Sequence, residues 1–123
     1  MMDALPWVGV AALGAVGALG RFTVDGLVSA RRPSSFPFGT LAVNLSGGFA
    51  LGVLVGLGVG GDAILVLGTG LLGGYTTFST WMFEAERLAE DGELRLMWLN
   101  LAAPMISGLA VTGLGWLVGA GLG

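Results

Sequence analysis

The chain has 123 residues, 54% of them hydrophobic and 11% charged, with a formal net charge of −3 and a mean hydropathy of +0.88. A soluble domain carries about 25% charged residues, so the composition excludes an ordinary soluble fold and matches about four membrane helices of about 20 residues each. With no cysteine and no histidine, it also excludes disulfides, thiolate chemistry and imidazole proton shuttles.

The first span is expected at residues 5–28. Asp3 precedes it and no basic residue does, unlike the positive start of a signal peptide. Gly14, Gly17 and Gly20 are spaced at three, a face that admits a close neighbour. Arg21 sits toward the helix end. It reads as a cation snorkelling to the interface, as a buried charge biasing the field for an anion, or as a partner for Asp25 four residues on. A loop rich in Arg, Pro and Ser follows, from Ala30 to Pro37.

The second span is expected at residues 38–60. Thr40 and Asn44 stack on one face, four residues apart, with Ser46 nearby. Asn44 in hydrocarbon needs partners. It either glues two helices together or turns its amide N–H₂ toward a passing ligand. Gly48, Gly52, Gly56 and Gly60 form a stripe for helix contact.

A short turn at Asp62 leads to the third span, residues 63–83, which carries Gly73-Gly74-Tyr75-Thr76-Thr77-Phe78-Ser79-Thr80-Trp81. Two glycines cost a helix about 1 kcal/mol each against alanine, and the threonines compete for backbone groups. This helix is expected to break near its middle. A break in hydrocarbon must be buried in protein or line a wet cavity, where it offers carbonyls to cations and N–H groups to anions. Phe78 and Trp81 face the same way, as packing or as part of a site. The acidic stretch from Glu84 to Arg95 is expected to continue the third helix out into water at its start, to turn at Asp91-Gly92 and to form a solvated loop.

The fourth span is expected at residues 96–121. Asn100, Pro104 and Gly108 lie in line, with Ser107 and Thr112 beside them, and Gly115, Gly119 and Gly123 form a second stripe. Pro104 should bend the helix and free a carbonyl near Asn100. Every carboxylate is expected in a loop or near a span end. A proton-coupled exporter or a rotary subunit requires an ionisable group within a span, and Arg21 does not give up its proton. The amides, hydroxyls, indole N–H and aromatic edges that remain suit a small anion.

On Gly20-Arg21, Gly39-Thr40-Leu41-Ala42-Val43-Asn44 and Thr76-Thr77-Phe78-Ser79-Thr80, the chain resembles the small bacterial fluoride channels of the CrcB/Fluc family. The resemblance implies an all-α membrane protein assembling as an inverted dimer, either an antiparallel homodimer or a heterodimer, with two fluoride paths. It implies a structural Na⁺ at the dimer centre, held by the main-chain carbonyls of Gly73 and Thr76. It assigns the pathway to Arg21, Thr40, Asn44, Phe78 and Trp81, with hydroxyls from Ser79 or Thr80. The expected activity is passive fluoride exit across the cytoplasmic membrane. Two positions depart from the family pattern. Trp81 stands where a second Phe is usual, and its indole could donate to the ion, tightening binding and slowing transit. Asn100, Pro104 and Gly108 replace a polar line in the fourth span, with Ser107 as a substitute hydroxyl. The alternatives are a small four-helix multidrug exporter and a purely structural membrane subunit.

Overall fold

The computed structural model describes residues 4–123, so Asp3 lies outside it. Among the described residues, four helical segments are long and apolar enough to cross a membrane. Helix α1 runs Leu5–Arg31, opened by a proline in its first turn, where the missing N–H costs nothing. Helix α2 runs Phe38–Gly56. It stops short of the expected residue 60 because Gly58 turns to a φ of +81°, a left-handed conformation that suits glycine.

The third crossing, Gly61–Glu90, is composite. It opens with α3, Gly61–Ile64, widens into a π-helix over Leu65–Leu72, and closes with α4, Gly73–Tyr75. The chain then leaves the helix at Thr76, whose ψ is 161°, and resumes as α5, Ser79–Glu90. The break is near the middle, as expected, but the two glycines are not the broken residues. They are helical, and Gly74 lies against the Gly14 carbonyl of α1, where a Cβ would collide. The acidic stretch begins as a continuation of α5 to Glu90 and turns at Asp91-Gly92, as expected. Helix α6 runs Leu94–Leu122, passing through Pro104 without interruption.

Glycine faces set the packing. Gly52 and Gly56 of α2 lie against the Thr112 and Trp116 carbonyls of α6, and Gly115 and Gly119 of α6 lie against Phe49 and Val53 of α2. The two stripes read from the sequence therefore meet each other. Gly17 of α1 lies on the Leu71 carbonyl and the Tyr75 N–H of the third crossing, so the first glycine face is filled as well. Without side chains between them, backbones approach closely and gain dispersion contacts that lipid would not supply.

Candidate functional site

The site is built around the break, and α2 braces it. Asn44 donates from Nδ2 to the Thr77 carbonyl and accepts from the Thr77 N–H at Oδ1, both at 2.8 Å. One amide thus satisfies both backbone groups of a residue that the helix has abandoned, a necessity away from water. The Ser46 hydroxyl meets the Tyr75 hydroxyl at 2.8 Å, and Gly47 makes room for the Thr76 methyl. Val43, fully buried, fills the space beneath.

These bonds decide which carbonyls are free. In a continuous helix, the Thr77 N–H would return to Gly73 and the Thr80 N–H to Thr76. Here the first goes to Asn44 and the second to the Thr77 hydroxyl at 3.2 Å. The carbonyls of Gly73 and Thr76 thereby lose their helical donors. The Thr76 hydroxyl itself donates to the Leu72 carbonyl at 2.9 Å. Among the described residues, no group of three acidic, histidine or cysteine side chains is placed to hold a metal.

Two cavities flank Thr77, and it lines both. One, of about 350 Å³, is open to the surface and holds Asn44, Gly73, Thr76, Phe78 and Trp81. The other, of about 230 Å³, lies between α1, α2 and the start of α5 and holds Arg21, Asp25, Thr40 and Thr80. Six of the residues singled out from the sequence thus fall into two groups, Arg21, Thr40 and Thr80 in one cavity and Asn44, Phe78 and Trp81 in the other, while Ser79 and Ser107 line neither. The groups are separated by Thr77, a residue the sequence reading did not assign to the pathway. Its only signal was its place before Phe78 in the quoted motif.

Phe78 is 68% exposed, and its ring meets Trp81 edge-on, with centroids 5.8 Å apart and planes at 86°. Ser79 is also exposed. The Trp81 indole N–H does not point to open space, since it donates to the Asn100 carbonyl. That is the carbonyl expected to be freed by Pro104. In the single chain this donor is therefore already engaged within the protein. Ser107 likewise donates within its own helix, to Ala103, and it lines neither cavity.

Asp25 accepts from Ser29 at 3.3 Å, while Arg21 Nε is buried without a hydrogen-bond partner among the described residues. Glu84 lies in α5 and, near the span end as expected, lines one groove with the α1–α2 loop and Arg87. It reaches the Thr40 side chain of α2, with Oε1 buried and without a hydrogen-bond partner.

A four-crossing membrane protein with a braced mid-membrane break, two freed carbonyls and an outward aromatic pair has the parts of an ion-conducting subunit rather than those of an enzyme. The chain belongs to the CrcB family: the profile described as "CrcB-like protein, Camphor Resistance (CrcB)" matches residues 8–116. It is similar to "Fluoride-specific ion channel FluC 2" of Mycolicibacterium paratuberculosis, 49% identical over 109 residues covering 89% of each chain. It is also similar to FluC 1 of Leifsonia xyli, 42% identical over 123 residues covering 96% of this chain and 90% of the relative. A third relative is FluC 2 of Haloarcula marismortui, 44% identical over 104 residues covering 85% of this chain and 87% of the relative.

Proposed function

We propose that this chain is a subunit of a fluoride-selective channel that lets the ion leave the cell passively through the cytoplasmic membrane. The observation that carries the reading is the break at Thr76–Phe78, braced by Asn44, in a chain whose relatives bear the name of fluoride-specific channels. Fluoride would exchange water for neutral donors and aromatic edges: the Asn44 amide, Phe78, the Trp81 ring, and the hydroxyls of Ser79, Thr80 and Thr40, with Arg21 biasing the approach. Selectivity from bore and donors needs no ring of fixed charge.

The working unit is a dimer with a second subunit of the same family, inserted upside down. Phe78 and Ser79 are exposed on the single chain, and the cavity at the break is open. Exposed side chains can face lipid, but an exposed backbone break cannot. A second copy is the natural cover, and the inverted arrangement brings two breaks together. The freed carbonyls of Gly73 and Thr76 from both chains fit a Na⁺ at that junction, because neutral oxygens suffice for a hard cation. Its contribution would be to tie the two breaks together.

One observation favours a second reading. Glu84, half-buried near the end of the third crossing, is the carboxylate that comes nearest to what a proton-coupled exporter uses. Flux from liposomes separates the two. Fluoride efflux without a proton gradient supports the channel. Cation or drug movement that requires a proton gradient, with no fluoride conductance, overturns it.

A further inference from the structure

The α5–α6 contact contains a reciprocal pair that the pathway reading does not use. The Trp81 indole N–H donates to the Asn100 carbonyl, and the Asn100 amide donates back to the Trp81 carbonyl at 3.3 Å. Asn100 is only 2% exposed, so neither of its polar ends is left to solvent. The acceptor exists because of Pro104, four residues further along an otherwise unbroken helix. In any other residue, the backbone N–H at position 104 would occupy the Asn100 carbonyl. Proline has none, and a buried carbonyl without a donor is unfavourable. The indole N–H fills that need, and the same bond fixes the ring edge-on to Phe78.

We propose that Pro104 is a positioning residue for the aromatic pair: by withholding its backbone N–H, it leaves the Asn100 carbonyl to capture the Trp81 indole, which holds the ring in place and keeps its N–H away from the ion. Trp81 then meets fluoride as an enlarged aromatic edge and not as a hydrogen-bond donor. Substituting Pro104 reverses this. An N–H at position 104 competes for the carbonyl, the indole is released, and a free indole donor beside the path binds the anion more tightly and slows its transit. The inference rests on the reading that the path runs past Phe78 and Trp81.

The test is a double-mutant cycle of Pro104→Ala and Trp81→Phe. It is read by fluoride flux from liposomes holding the transporting assembly, and by the indole resonances of the full-length, ¹⁵N-tryptophan-labelled chain in detergent. The Trp81 resonance is assigned by its loss in Trp81→Phe. The expected result is that Pro104→Ala moves the Trp81 indole resonance, lowers maximal flux about fivefold and lowers the half-saturating fluoride concentration, yet changes flux less than about twofold in the Trp81→Phe background, as for a coupled pair. An unmoved indole resonance, or an equal flux effect in both backgrounds, overturns the proposal. A moved resonance with normal flux in every variant overturns it differently, by removing Trp81 from the path while leaving the hydrogen bond in place. If Pro104→Ala folds poorly, thermal stability decides. Trp81→Phe alone orphans the Asn100 carbonyl, and adding Pro104→Ala supplies an N–H, so the double variant should melt higher than Trp81→Phe. A double variant that melts lower overturns the proposal.

Discussion

Asn44 is the residue on which the break depends. Its amide is the one small side chain that offers an acceptor to the Thr77 N–H and a donor to the Thr77 carbonyl at once. Asn44→Asp keeps the acceptor, loses the donor and sets a carboxylate against a carbonyl and in the path of an anion. Fluoride flux from liposomes is expected to fall more than about tenfold, a barrier increase of about 1.4 kcal/mol, while the protein still assembles. Undiminished flux would remove Asn44 from the pathway. Thr76 tests the opposite kind of role. Its hydroxyl is engaged with the Leu72 carbonyl, whereas its own carbonyl has lost its helical donor to the Thr77 hydroxyl. Thr76→Val should therefore leave any Na⁺ dependence of dimer stability unchanged. Loss of Na⁺ from an intact Thr76→Val dimer would show that the hydroxyl is the ligand.

Among the elements, the contact of α1 with the third crossing is the most sensitive to added volume. A Cβ at Gly17 would strike the Leu71 carbonyl and the Tyr75 N–H, which are backbone atoms with little freedom to yield, while one at Gly26 on the same helix meets nothing within 4 Å. Gly17→Ala is expected to destabilise the protein by about 1–3 kcal/mol and Gly26→Ala by less than about 0.5 kcal/mol, as read by thermal melting in detergent. Equal melting temperatures would remove Gly17 from the interface. The same elements mark what the sequence could reveal. Uncharged runs exposed the four crossings, and glycine spacing exposed the faces that pack, because both follow from local composition. The position of the break did not follow from composition. The glycines and threonines marked a weak stretch, and the chain breaks within it at Thr76–Phe78, the site being set by Asn44, 33 residues away, which satisfies what the helix gives up. The carbonyl freed by Pro104 was legible from one residue type, whereas its capture by Trp81 depends on how α5 meets α6.

The distribution of arginines constrains the whole molecule. The loop carrying Arg32 and the end of α5 carrying Arg87 line one groove, with Arg31 and Arg95 at the neighbouring helix ends. The opposite end, with the Asp62 turn and the C-terminus, has no Lys or Arg. Basic residues near span ends are retained in the cytoplasm, and acidic ones contribute little to orientation. All four arginines therefore favour one insertion, with both termini outside. A chain that inserts equally in both directions would have a nearly balanced count. From this asymmetry we propose that the chain keeps one orientation and that, if the unit is an inverted dimer, the partner is a different chain of the same family. Asp62 and Ser34 are exposed at opposite ends and the chain has no native cysteine, so single cysteines at these positions report orientation cleanly. An impermeant thiol reagent applied to intact cells is expected to label Asp62→Cys and not Ser34→Cys. Comparable labelling at both positions, or full fluoride flux from this chain purified alone, would establish an antiparallel homodimer instead.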